Sequence, residues 1–162
     1  SLGRLVREAQ RGSKKYHRYE PLNLFKFKDF NQSLQLAKGS VAAISECSSG
    51  NNSDRDAVVW AYHELLQRPE KRKILFVLSD GQPANATINV DEYSARGPLV
   101  LGLKNAIDEC GQNGVECVGI GILTYHVKDI YPKSVSITKV EDLSGAIFNQ
   151  LSNLLTGGKV RF

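Results

Sequence analysis

The stretch that most restricts the fold of this chain is Ile74-Leu75-Phe76-Val77-Leu78. Five apolar residues in a row lack the alternation of a strand that is wet on one face. They predict a strand covered on both faces, as in a parallel sheet. The strand follows Lys71-Arg72-Lys73 and ends in Ser79-Asp80-Gly81-Gln82-Pro83. Val115 to Ile122 reads as a second strand and Val135-Ser136-Ile137 as a short third. Helical patterns separate them, so the order from residue 54 is helix, strand, helix, strand, short strand, helix. Strands alternating with helices imply an α/β domain with a mainly parallel sheet flanked by helices.

The helices are read from apolar spacing. Phe30, Leu34, Ala37, Val41 and Ile44 form one stripe over 29–47, with Asp29 as N-cap. Ser53-Asp54-Arg55-Asp56 has the form of a capping box, and Ala57, Ala61 and Leu65, joined by Val58 and Leu66, make the stripe behind it. Trp60 is expected to pack beside that stripe, and the helix to stop near Gln67, ahead of Pro69. Pro98 suits a first helical turn, Leu99, Leu103, Ala106, Ile107 and Cys110 a buried face, and Gly111 and Gly114 a stop. Thr138-Lys139-Val140-Glu141 is a second capping-box pattern, opening a helix with Leu143, Ala146, Ile147, Leu151 and Leu154 inward. Leu22 to Phe27 is a candidate short strand.

At 162 residues the chain is long enough for one domain with a buried core. The organisation expected is a basic N-terminal segment at 1–28, an α/β domain at 29–158 and a tail at 159–162. Of the net charge of +4, residues 1–28 carry eight Lys and Arg against Glu8 and Glu20, leaving the body acidic. Tyr16, Tyr19, Phe25 and Phe27 interleave with those cations, but no nucleic-acid motif accompanies them, so nucleic acid is not the expected partner. There is no apolar run of membrane-spanning length and no signal-like start. Cys47, Cys110 and Cys117 cannot all pair within the chain and have no CxxC spacing, which suits buried thiols in a reducing, cytoplasmic compartment.

Ligands of open parallel sheets bind beyond the carboxyl ends of the strands. The Ser79–Pro83 loop stands there. A carboxylate just past a buried strand is not explained by packing, because it needs a cation, a helix N-terminus or water. Gly81 permits a tight turn and Pro83 stiffens it. The loop 123–132, with His126, is the second candidate. Gly119-Ile120-Gly121 lacks the third glycine of a dinucleotide site and lies within a strand, so it reads as room for close packing. His17, His63 and His126 have no metal-ligand spacing, and His63 reads as a helix-surface residue. Oxygen donors suit a hard cation, and Asp80 with Ser53, Asp54 or Asp56 would supply part of a Mg²⁺ site. A small hydrolase or transferase using Asp80 lacks a partnering Lys, His or second Asp motif.

These residues resemble the von Willebrand factor A (VWA) domains, and most nearly the C-terminal VWA domain of the cobaltochelatase CobT subunit. Lys73 to Pro83 is similar to the central strand and loop. Asn52-Ser53-Asp54-Arg55-Asp56-Ala57-Val58-Val59-Trp60-Ala61 stands where that family has an Asn-x-Asp-Gly-Glu-Ala segment entering a Trp-Ala helix. Arg68-Pro69-Glu70-Lys71-Arg72-Lys73-Ile74-Leu75, Gly119-Ile120-Gly121 and Tyr131 continue the likeness. Arg55 replaces the family glycine. The resemblance implies a Rossmann-like fold whose opening strand, helix and strand are missing from this chain. It implies a metal-ion-dependent adhesion site (MIDAS) for Mg²⁺. Of its three loops Asp-x-Ser-x-Ser is absent, the second maps near Asn52 to Asp54, and the third is Asp80. The residues so implied are Asp80, Asp54 and Ser53 as metal ligands, Gly81 and Pro83 as loop-shaping residues, and Asp80, Gln82 and His126 as partner-binding residues. The role implied is a non-catalytic coupling module in ATP-dependent cobalt insertion into a corrin ring, beside a CobS-type AAA+ ATPase and a CobN-type large subunit. A general MIDAS module of another AAA+ system is the alternative, and an open sheet edge makes a homo-oligomer a further expectation.

Overall fold

The computed structural model describes residues 23–47, 53–81, 83 and 97–156. Helix α1 spans Leu34–Ala42 and runs into a 3₁₀ turn at Ala43–Glu46; α2 spans Asp54–Leu66, β1 Lys73–Ser79 and α3 Pro98–Gln112. Then follow β2 at Val115–Ile122, a one-turn helix α4 at Val127–Ile130, β3 at Lys133–Ile137, a 3₁₀ turn at Val140–Asp142 and α5 at Leu143–Thr156. The three strands form a parallel sheet in the order β1-β2-β3, so the α/β class with a helix-flanked parallel sheet is what the chain adopts. Gly119 of β2 lies between Val77 of β1 and Ser134 of β3.

The core sits on one face of this sheet. Val115 and Cys117 of β2, with Leu75 and Val77 of β1, pack against Val58 and Tyr62 of α2 and against Val100, Leu103, Ala106, Ile107 and Cys110 of α3. The apolar face expected for α3 is buried throughout, and Pro98 opens that helix as expected. Val118 and Ile120 point to the opposite face and are also fully buried. The strand β1 departs from expectation. It lies at the edge of the described sheet, its residues are mostly half-buried, and Leu78 is 46% exposed. A central strand is covered from two neighbours and two layers; an edge strand lacks one of them.

Several local readings need correction. The first helix does not start at Asp29: that carboxylate accepts from its neighbour Phe30 N–H at 2.8 Å, and Ser33 is the N-cap, accepting from Leu36 N–H. Of the stripe Phe30, Leu34, Ala37, Val41 and Ile44 only Ala37 is buried. Residues 23–27 form no strand. In α2 the buried stripe is Val58 and Tyr62, rotated from Ala57 and Ala61, and Leu66 is 42% exposed. Gly111 lies inside α3; the stop is Asn113 and Gly114, which takes φ +78°. The Thr138 capping box does not form: Lys139 caps a 3₁₀ turn without a side-chain bond, and α5 begins only at Leu143. Leu143, Ala146 and Ile147 are half-buried and Leu151 is exposed, so that face is only partly covered. The tail 159–162, the segment 1–22 with Tyr16, Tyr19 and His17, and Leu154's side chain lie outside the described residues.

The sheet tightens at β2. A Cβ on Gly119 would stand 2.6 Å from Cγ of Tyr131, and one on Gly121 would stand 2.8 Å from Cγ2 of Val127. The two glycines are therefore packing residues, although they receive α4 and the residue after it, not a long helix. Gly119→Ala forces ring and strand apart and should cost about 1–3 kcal/mol of unfolding free energy, read from urea melts.

At the other end of the sheet Glu116 accepts from Lys133 Nζ at 2.7 Å and from Arg72 Nε at 3.2 Å. The Lys133 hydrogen bond, aided by Arg72, holds its carboxyl below the ordinary carboxylate range. A carboxylate with a depressed folded pKa contributes stability above its unfolded value, near 4.3, and loses it as pH falls through the folded value. Glu116→Gln should therefore be less stable than wild type at pH 7 by no more than about 1 kcal/mol, since the group is partly exposed. The gap should close as both are acidified below about pH 4.

Candidate functional site

The carboxyl ends of the strands gather the residues of interest through topology. One cleft is lined by Ala61, Glu64 and Leu65 together with Ile74 and Leu75. The C-terminal half of α2 therefore lies beside the start of β1, and the helix runs antiparallel to the strand. Its N-terminus, with Ser53 and Asp54, stands at the same end of the sheet as Asp80, the residue that follows β1. Tyr131 links this end to β2: its ring lies on Gly119, and its buried phenol is pushed up mainly by burial and then by the charge of Asp54. Its hydroxyl has no hydrogen-bond partner among the described residues.

The loop after β1 is shaped by Ser79. Its hydroxyl donates to Gly81 C=O at 2.9 Å and accepts from Gly81 N–H at 3.3 Å, which turns the chain directly around Asp80. Pro83 is buried and anchors the far side of the turn. Asp80 itself is exposed, and no hydrogen bond or ion pair among the described residues involves its carboxylate. Gln82 lies outside the described residues. Gly81 takes no left-handed φ and a Cβ there would meet open space; the serine that makes the turn was missed, because nothing in its sequence position marks it apart from its place before the aspartate.

The acidic residues at the start of α2 divide into two kinds. Asp56 is 5% exposed. Ser53 Oγ donates to one of its oxygens at 2.9 Å, and Arg55 Nη1 meets the other at 3.2 Å. The capping-box reading is thus reversed: Ser53 caps by position, but its hydroxyl serves Asp56 instead of accepting a backbone N–H. Arg55 has a purpose here that a glycine could not serve, the neutralisation of a buried carboxylate. A hydroxyl that donates still has acceptor lone pairs with which to meet a cation. Asp54 is half-buried at the first turn, where an acid also favours the helix dipole.

The loop 123–132 contains the short helix α4 and is not open loop throughout. Leu123 enters it with φ 57°, and its N–H bonds to Ile137 C=O at the end of β3 at 2.9 Å. Thr124 is buried, and its hydroxyl accepts from His126 N–H at 3.4 Å. His126 is exposed immediately before α4. His63 is exposed on α2 against Tyr62, as a surface residue.

Two clefts among the described residues lie away from this rim. A largely apolar groove of about 310 Å³ runs between the residues around Phe25 and Phe30, Trp60 and β1. A larger cleft of about 480 Å³ lies at the opposite end of the sheet, around Glu116 and Lys133. Among the described residues no three His, Cys, Asp or Glu side chains converge on one point. The rim therefore offers oxygen donors of the kind a hard cation takes, an exposed Asp80 after β1 and a half-buried Asp54 at the start of α2, but among the described residues no closed carboxylate cage.

This arrangement of parallel sheet, Ser-Asp-Gly loop and acidic helix start coincides with a family match over residues 10–157, described as the VWA domain of cobalamin biosynthesis protein CobT. The chain belongs to that family. No solved structure matches it. As a CobT VWA domain it is a domain of cobalamin biosynthesis, and membership implies a place in a cobaltochelatase complex. No helix among its described residues is long and apolar enough to cross a membrane.

The division between inward and outward acids is measurable. Asp56→Ala removes a buried acceptor from Ser53 and Arg55 and should cost about 1–3 kcal/mol in chemical denaturation. Asp80→Asn, at an exposed carboxylate, should stay within about 0.5 kcal/mol of wild type.

Proposed function

We propose that this CobT VWA domain is a non-catalytic coupling module of an ATP-dependent cobaltochelatase, and that it docks its ATPase through Mg²⁺ held at Asp80. The observation that carries this reading is the exposed carboxylate at the end of β1, held outward by a turn built from Ser79, Gly81 and Pro83. A protein that needed Asp80 for its own stability would turn it toward an internal cation or a helix N-terminus, as it does Asp56.

The donor chemistry suits Mg²⁺, which takes oxygen ligands and keeps several waters. Asp80 is the ligand of this chain, with Ser53 and Asp54 completing its side of the site. The bound ion would supply an open coordination position for a carboxylate of the partner. The rest of the work belongs to the chain. Ser79 shapes the turn around Asp80, Arg55 compensates the buried Asp56 so that it does not compete for the ion, and His126 is a further partner-binding residue. The partner on this reading is an AAA+ ATPase of the CobS type, with a CobN-type large subunit carrying the macrocycle. A MIDAS-type contact suits such a role, because one metal–carboxylate link forms and breaks without repacking a core.

The test is retention of the ATPase subunit by the immobilised chain with Mg²⁺ and with EDTA. Wild type should retain it only with Mg²⁺. Asp80→Ala should weaken binding by roughly tenfold or more, the equivalent of about 1.4 kcal/mol. Equal retention by wild type and Asp80→Ala, or retention unchanged by EDTA, overturns the reading.

A further inference from the structure

The strand β1 ends the described sheet and is paired on one side only. Its neighbour there is β2, and no other backbone–backbone bond among the described residues involves residues 73–79. An open edge is a row of N–H and C=O groups ready to pair with another strand, and proteins ordinarily blunt it with proline, a bulge or charges. From Ile74 to Leu78 this edge has none of these, and its register against β2 runs unbroken. Leu78 is 46% exposed. The uncovered apolar surface continues into the groove that Ile74 shares with Phe30, itself 47% exposed.

The charges at the two ends of the strand say what fits against it. Lys71, Arg72 and Lys73 precede the apolar run, and Asp80 follows it. Such a strand is complementary to itself read backwards. Two copies paired antiparallel about a two-fold axis at Phe76 set Arg72 of each opposite Asp80 of the other. Ile74 then meets Leu78, Leu75 meets Val77, and Lys73 meets Ser79. Directly opposite residues share a face and are near neighbours, and apolar pairs and opposite charges there are stabilising. Moving the axis to Leu75 sets Arg72 against Leu78 and Lys73 against Val77. Moving it to Val77 sets Asp80 against Ile74. Parallel pairing in register brings like charges together at both ends. Of these arrangements only the one centred on Phe76 matches charge with charge and apolar with apolar. It also gives Asp80, which has no cation among the described residues, one from the second copy.

We propose that the chain forms a two-fold homodimer by antiparallel pairing of β1 with β1 of a second copy, joining the two three-stranded sheets into one. The contact is isologous, so it closes on itself and leaves neither β1 edge open. Asp80 serves the second copy or Mg²⁺, one at a time, and the dimer does not rest on the docking reading.

The test is sedimentation equilibrium of the folded full chain in EDTA with no ATPase present, so its outcome is separate from that of the Mg²⁺ retention experiment. Wild type should approach twice the 17.9 kDa of one chain as its concentration rises through the micromolar range. Leu78→Lys sets a cation against Ile74 of the other copy, at a position already exposed, and should weaken self-association by about tenfold or more. Arg72→Asp sets an acid against Asp80, and Asp80→Arg sets a cation against Arg72, so each alone should remain monomeric. An equimolar mixture of these two variants should dimerise, because each charged contact then joins an acid to an arginine. Arg72 also meets Glu116; should Arg72→Asp fail to fold, wild type, Leu78→Lys and Asp80→Arg decide. The proposal is overturned by a wild-type chain that stays monomeric throughout the micromolar range, by a dimer that Leu78→Lys or Asp80→Arg leaves intact, or by folded charge variants that do not associate when mixed.

Discussion

The close approach of Tyr131 and Val127 to β2 is the contact on which the rest of this domain depends. Parallel strands ordinarily need a long crossover to bring the chain back to its starting edge. Between β2 and β3 the chain has only residues 123–132 in which to do it. It succeeds because Gly119 and Gly121 present no side chains, so a single helical turn and one aromatic ring can lie directly on the strand. That economy has a conformational cost, visible at Leu123, a leucine in the left-handed region. Placing a non-glycine residue there costs on the order of 1–2 kcal/mol. The bond from Leu123 N–H to Ile137 C=O helps hold it. The same contact that closes the sheet also holds the Tyr131 phenol where the charge of Asp54 acts on it.

From that closure follows a separation of charge chemistry between the two ends of the sheet. At the amino ends, Glu116 is enclosed by Lys133 and Arg72, and the acid is satisfied internally. At the carboxyl ends, Asp56 is satisfied by Ser53 and Arg55 and is buried, whereas Asp80 is turned outward. Two carboxylates of the same chemical type, on neighbouring elements, thus have different fates. Burial without a partner is costly, so the chain supplies Arg55 for the one it buries. It supplies no such cation among the described residues for the one it exposes.

The parts of this architecture that are legible in the sequence are those written as strong patterns. Ile74 to Leu78 declares a strand, and it is parallel as read, but the full cover that its apolar run implies is not met among the described residues. The α3 face is legible because Leu99, Leu103, Ala106, Ile107 and Cys110 recur at helical spacing over about three turns, and all are buried. The stripe through Phe30, Leu34, Val41 and Ile44 has the same spacing and remains exposed. Spacing states which residues would share a face, but not whether another layer of the molecule lies against it. Capping patterns mislead for a related reason. Thr138 and Glu141 have the right separation, yet the chain leaving β3 enters a 3₁₀ turn, and the reciprocal bonds need α-helical geometry. Of the site, Asp80 is legible because a charge beside a buried run demands explanation. The bond of Ser53 to Asp56 instead of a backbone amide is not, since both arrangements use the same residues at the same spacing.

The pairing of Arg55 with Asp56 bears on how this member of the CobT VWA family is built around its rim. A glycine before Asp56 would leave that acid to be met by Ser53 or by whatever charge stands at the strand ends. With an arginine at 55, one oxygen of Asp56 is already engaged at 3.2 Å and the other at 2.9 Å. The inner acid is thus compensated within the chain, and the outer one is exposed. Burial is what separates the two acids: Asp56 is matched within the chain, and Asp80 faces solvent.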